Sequence, residues 1–415
     1  MRGNTILVIY LFFFTLQFSW ERLLTWLNIR YVRAHLTSPP GPAAADLDAE
    51  TYKNSVNYTI QRNQFTLPAA TVSSLFLLFA ILSGLLGKIE SLYRQLNTGA
   101  YIQGILFIYT VSLIFSLVSL PFTLYSQFVI EERFGFNKMT VKLFCLDTLK
   151  GLLLSLLLMT PLLYALFWFM DTTGRLWWIW AFFLITAFQL ILTVLYPTLI
   201  APLFNKFQPL EEGSLKKKIM HLAAGLNFNT RGIFIMDGSK RSRHSNAYFT
   251  GLGKAKRIVL FDTLIQALEE EQIIAVLAHE IGHVKRHHLL KRALPFIAGT
   301  LCGLWMLSLI LGYRPFFEAF GFGSPGYPAA VVIFSFCAGP FTFFLKPVYS
   351  TWSRKHEYEA DRFAVRTLRD TTALSQALLY LSRDNLSNLT PHPWYSFYHY
   401  SHPTLVERIR AMKDY

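Results

Sequence analysis

The sequence predicts a mainly α-helical, polytopic membrane protein with a polar α+β region outside the bilayer, and three observations carry that prediction. The first is composition. Of 415 residues 53% are hydrophobic and only 15% charged, whereas a soluble chain is usually about a quarter charged; the mean hydropathy is +0.35. The second is a set of about seven apolar stretches, near 5–25, 68–87, 101–126, 146–170, 176–203, 293–313 and 327–350. Each reaches the roughly 20 residues that cross a bilayer as helix. The third is that the remaining polar residues gather in two blocks, roughly 204–292 and 351–415. They follow the fifth and seventh stretches, so both emerge on the same side. The expected organisation is therefore spans one to five in 1–203, a first polar part in 204–292, spans six and seven in 293–350, and a second polar part in 351–415.

The opening "MRGNTILVIYLFFFTLQFSW" leads straight into "ERLLTWLNIR" with no small-residue cleavage site, so it is expected to be a retained first span. Aromatic residues at span ends, as in "RLWWIW" (175–180), suit the bilayer interface. Pro161, Pro197 and Pro340 are tolerable where neighbouring helices satisfy the freed carbonyls. The loop "TSPPGPAAADLDAE" (37–50) is rich in Pro and Ala.

Charge sets the orientation. One side carries only Arg2, Lys88, Arg94, Arg175 and Arg314; the other has Arg30, Arg33, Lys53, Arg62, Arg133, Lys138 and Lys142 before the first polar block begins. By the positive-inside rule the N-terminus faces out and both polar blocks are cytoplasmic. The net charge of +14 fits an anionic membrane surface. No zinc-finger or RNA-binding signature is present, so no nucleic-acid partner is expected. Cys145, Cys302 and Cys337 lie in apolar stretches without a CxxC pair, which argues against disulfides or a thiolate-bound metal.

The first polar block reads as a helix from Ser214, a strand "GIFIMD", a solvated basic turn with "KRSR" at 240–243, strands "NAYFTG" and "RIVLFD", and a helix running from "TLIQALEEEQ" into "VLAHEIGHVKRHH" (276–288). In that last stretch His279 and His283 are four residues apart and share a helix face, so both imidazoles can reach one ion. Glu280 lies one step round, placed for water rather than for the ion. A catalytic zinc takes three protein ligands. A histidine six residues past His283 is excluded, because that position is Leu289; His287 and His288 miss the register and are expected to be solvated or to support a ligand. In "SRKHEYEADRFAVRTL", Glu357 completes a two-His, one-Glu set, and Asp361, one turn on, can hold a ligand histidine by its other ring nitrogen. Glu359 points elsewhere and is the weaker ligand candidate. The bland alternative for this stretch is a charged amphipathic helix.

Four blocks together resemble the integral-membrane zinc metalloproteases of the type I CAAX prenyl endopeptidase kind: "RSRHSNAYFTGLGKAKRIVLFDTL" (241–264), "VLAHEIGHVKRHH", "SRKHEYEADRFA" (353–364) and "SNLTPHPWYSFYHYSHPTLVERI" (387–409). The apolar stretches also match in number and order, although before residue 204 the likeness is only one of span pattern. The resemblance implies seven helices ringing an intramembrane chamber, closed by a cytoplasmic α+β zinc metalloprotease domain. It implies Zn2+ held by His279, His283 and Glu357, and Glu280 as general base. It also implies that His402 and Arg408 assist the oxyanion and that Asn246 and Ala247 contact substrate. From the residues alone, His402 reads instead as the cap of a helix opening at Pro403, with Arg408 pairing on its surface, and "SNAYFTG" as a plain hairpin strand.

The expected reaction is peptide cleavage near the C-terminus of prenylated CAAX-type proteins, releasing the C-terminal tripeptide. The expected partners are a peptide or prenylated protein substrate and the lipid bilayer, with the chain acting as a monomer in a bacterial inner membrane or the endoplasmic reticulum. Two rivals stand beside this: a general membrane-protein quality-control protease, and a seven-helix transporter or receptor. The transporter requires ionisable residues in mid-span, and the spans read as nearly free of them.

Overall fold

The computed structural model describes residues 3–37, 48–250 and 256–415; residues 38–47 of the Pro- and Ala-rich loop lie outside these. Among the described residues, seven helices are long and apolar enough to cross a membrane: Gly3–Ala34, Ala49–Leu82, Ala100–Arg133, Val141–Thr172, Gly174–Phe204, His288–Ile310 and Tyr327–Leu368. Large apolar side chains such as Leu157, Phe183 and Leu294 stand exposed on their outer faces, a distribution suited to lipid and not to water.

The helices differ from the apolar stretches chiefly in length. The second begins near residue 49, where Asp48 caps it by accepting from the Thr51 N–H, and it stops at Leu82 because Gly84 is left-handed (φ 67°). A separate helix, Leu85–Arg94, then packs so tightly on the loop at Gly321 that a Cβ on Gly87 would lie 2.0 Å from the Gly321 carbonyl oxygen. Pro161 and Pro340 sit within helices, while Pro197 falls in a widened turn, Tyr196–Ile200, which spares the missing N–H. The seventh helix has no break at residue 350. After a tightened turn at Phe343–Leu345 it continues as Lys346–Leu368. The last span and the start of the second polar block are one rod.

Phe107, Phe167, Phe317, Phe320 and Phe322 fill one apolar core among the spans. The two polar blocks share another, which unites Ile258, Leu260, Leu264 and Leu277 with Ala364 and Leu374. Its sheet has the order β1 (Phe207–Pro209), β2 (Ile233–Met236), β4 (Arg257–Phe261), β3 (Ala247–Thr250). β2 and β4 run parallel, and β3 pairs antiparallel to β4 with Ala247 opposite Leu260. β3 is thus an edge strand, and it packs beside the helix that carries His279.

Candidate active site

Two helices build the site. The first, Glu270–Lys285, does not continue from the preceding Asp262–Ala267 helix as the sequence suggested. Glu269 and Gln272 form a reciprocal capping box that starts it anew, and Glu270 and Glu271 suit the positive end of its dipole. Its buried stripe of Ile273, Ala275, Leu277, Ala278 and Ile281 seats it on the sheet and on the seventh helix. Gly282 is the point of closest approach: a Cβ there would meet the Ala360 Cα at 3.2 Å and the Phe363 ring at 3.1 Å. With Ala360 fully buried opposite, this small-on-small contact draws the two helices together and brings Glu357 to the histidines.

The result is a compact cage. His279 Nε2 lies 3.1 Å from His283 Nε2 and 3.4 Å from Glu357 Oε2, and His283 Nε2 lies 3.5 Å from Glu357 Oε1. Ligands about 2.0–2.2 Å from a tetrahedral zinc sit roughly 3.3–3.6 Å apart, and these separations, taken to the two Glu357 oxygens in turn, are close to that edge length. The proton positions agree. His279 Nδ1 is 2.8 Å from the fully buried Asp361 carboxylate, which can only accept, so the Nδ1 proton is fixed there and Nε2 is the ring atom turned into the cage. Burial opposes charge on His279, yet Asp361 and Glu357 outweigh it and carry its pKa up to about 9. The donor set fits a cation.

The remaining expected residues fall around this cage. Glu280 is half-buried and has no hydrogen-bond partner among the described residues; burial pushes its carboxyl above the usual range, with Glu357 adding to the effect. Asp361 also receives Arg408, from Nε at 2.9 Å and from a terminal nitrogen. Arg408 is therefore buried behind His279, not paired on a surface. His402 stands on the open side, its Nε2 3.5 Å from Glu357 Oε1. It caps no helix: that role belongs to Thr404, which forms a capping box with Glu407 at the start of Leu405–Met412. Asn246 precedes β3, its carbonyl accepting from the Phe261 N–H, and Ala247 opens the strand.

Asn246, His402 and Arg408 line one cavity of about 960 Å³ that extends to Glu21, Arg22 and Arg62 on the first and second helices. Those charged residues were not expected. Glu21 and Arg22 interrupt an apolar run, the one local signal that could have marked a water-facing stripe. One further neighbour was missed: Arg292 donates to Glu357 Oε1 at 3.0 Å. Of the two histidines expected to be solvated or to support a ligand, His288 touches His283.

Comparison with known proteins sets this geometry in a family. A family described as CAAX prenyl protease N-terminal, five membrane helices, matches residues 28–206, and Peptidase family M48 matches residues 209–415. The chain belongs to peptidase family M48. Similar M48 relatives include the CAAX prenyl protease 1 homolog of Oryza sativa subsp. japonica, 38% identical over 94% of each chain. CAAX prenyl protease 1 of Saccharomyces cerevisiae is 37% identical over 96% of this chain and 93% of its own. The Homo sapiens homolog is 32% identical over 96% and 94%. The crystal structure of S. mikatae Ste24p superposes with a TM-score of 0.91 at 35% identity, covering 99% of both chains. Membership in M48 makes the protein a membrane-embedded metalloprotease.

Proposed function

We propose that this M48 member is a zinc endopeptidase that removes the C-terminal tripeptide from prenylated CAAX proteins. The observation that carries the reading is a two-His, one-Glu cage beside an edge strand, whose neighbours His402 and Arg408 also line a cavity that reaches among the spans. The names of the relatives that match this chain along nearly its whole length support the substrate class.

His279, His283 and Glu357 would hold the zinc, which when bound supplies a Lewis acid that brings a coordinated water to a pKa of about 7. Glu280 takes a proton from the attacking water and hands it to the leaving amine. Its raised pKa, and its lack of a competing partner, suit a group that must both accept and release a proton. His402, on the open side, donates toward the oxyanion that develops on the scissile carbonyl. The edge of β3, from Asn246 and Ala247, takes the peptide as an added strand. Asp361 keeps His279 in the tautomer that presents Nε2, and Arg408 keeps Asp361 ionised and in place. The excess of Lys and Arg beside the odd-numbered loops favours a cytoplasmic catalytic domain. Membership in peptidase family M48 leaves the transporter reading without support.

The test is incubation of the purified protein with a farnesylated CAAX peptide. Release of the intact tripeptide is expected, stopped by chelator and restored by zinc. Cleavage at other bonds, or cleavage indifferent to chelator, would overturn the proposal.

A further inference from the structure

His288 belongs to the same stretch as the metal-binding candidates, yet the reaction as described makes no use of it. The chain turns back sharply to deliver it. The Glu270–Lys285 helix ends, His287 takes a left-handed conformation (φ 56°), and His288 begins the next helix. His287 is left exposed, whereas His288 is 1% exposed. One face of its ring stacks on His356, with centroids 4.2 Å apart and planes 14° from parallel.

Both ring nitrogens of His288 are engaged. Nε2 lies 3.1 Å from Glu359 Oε2, and Nδ1 lies 2.8 Å from His283 Nδ1. A carboxylate can only accept, so His288 carries its proton on Nε2. The ring is buried between two other imidazoles, and a His283 that ligates through Nε2 keeps its own proton on Nδ1, so His288 Nδ1 is the acceptor. The proton in the 2.8 Å contact then belongs to His283 Nδ1. That assignment leaves His283 Nε2, the atom facing His279 and Glu357, as a free lone pair aimed into the cage.

We propose that His288, held by Glu359, is a positioning residue that fixes His283 in the ring orientation and tautomer a metal requires. It does for His283 what Asp361 does for His279, but through a relay of imidazole and carboxylate in place of a carboxylate directly. The inference rests on reading His279, His283 and Glu357 as metal ligands. Ligand histidines depend on such partners, and losing one typically weakens metal binding 10–100-fold.

The test is zinc affinity of the purified full-length protein in detergent, measured by competition with a chromophoric chelator. His288→Phe keeps a flat ring for the stack on His356 but cannot accept from His283, and it should bind zinc about 10–100-fold more weakly. His288→Asn puts an amide oxygen at the δ position, where it can accept again, and should recover most of the loss. A packing role alone predicts the reverse order, with Phe harmless and Asn harmful, and that result would overturn the proposal. Should His288→Phe fail to fold, Glu359→Ala provides the second arm at a site whose side chain is 33% exposed; weaker zinc is expected, and unchanged affinity refutes the relay. His283→Ala separates the two readings. If it leaves zinc binding intact, the ligand set itself is wrong; if it abolishes binding while His288→Phe has no effect, only the relay fails.

Discussion

Removing Asp361 should damage the protein in two separable ways. The carboxylate is fully buried and accepts from His279 Nδ1 at 2.8 Å and from Arg408 Nε at 2.9 Å. Asp361→Ala strands a guanidinium whose side chain is only 12% exposed; breaking one side of a buried pair costs about 3–5 kcal/mol. It also frees the His279 ring to rotate or change tautomer, which should weaken zinc by roughly 10–100-fold. Arg408→Met removes the stranded charge. The double variant should therefore be more stable than Asp361→Ala alone, with a coupling of about 2–3 kcal/mol, yet its zinc affinity should stay as low, because His279 still lacks its acceptor. Thermal unfolding of the metal-free proteins in one detergent at one scan rate reads the first effect, and chelator competition reads the second. If the two substitutions add, so that the double variant melts below Asp361→Ala, Arg408 is not held by Asp361 in the way described.

Glu280→Gln should retain full zinc and a normal melting temperature but lose peptide cleavage, because an amide cannot take the water's proton; near-normal turnover would remove Glu280 as the base. His244 offers a pH test away from the metal. Burial and Arg62 oppose its charge, but Glu131 and Asn385 prevail and raise its pKa. The stabilisation is then complete below about 6.5 and lost as pH rises through the raised value. The melting-temperature gap between wild type and His244→Gln should shrink from pH 6 to pH 8, and a gap that widens would contradict the assignment. For topology, single cysteines at the exposed Lys240 and Arg410, in a background lacking Cys145, Cys302 and Cys337, should react with an impermeant maleimide only when the cytoplasmic face is opened. A cysteine at Glu318 should react from outside, and labelling of 240 and 318 from one side would mean a miscounted span.

The seven spans were legible because lipid demands runs of apolar residues, and such runs are local. Where the helices end was not. The backbone ladder of Ala49–Leu82 extends well ahead of residue 68, and that of Tyr327–Leu368 runs past 350, through polar sequence that hydropathy treats as loop. β1 escaped because three residues ending in Pro209 carry no alternation to read. Within the site, the i,i+4 spacing of His279 and His283 and the helix bearing Glu357 and Asp361 could be read as candidates, since helical geometry fixes which residues share a face. What the sequence could not supply were contacts between distant elements. The pairing of Arg408 with Asp361, the relay from His288 to Glu359, and the cavity-facing Glu21, Arg22 and Arg62 all depend on how the rods pack. Gly282 sets that packing through the space a missing Cβ leaves.

Zinc K-edge X-ray absorption on the purified protein tests the ligand set most directly. Two imidazole nitrogens, a carboxylate oxygen and a water oxygen, all within about 2.0–2.2 Å of the metal, are expected in wild type, with most of the bound zinc lost in Glu357→Ala. A sulfur scatterer near 2.3 Å, or an unchanged spectrum and full zinc in Glu357→Ala, would contradict the cage of His279, His283 and Glu357.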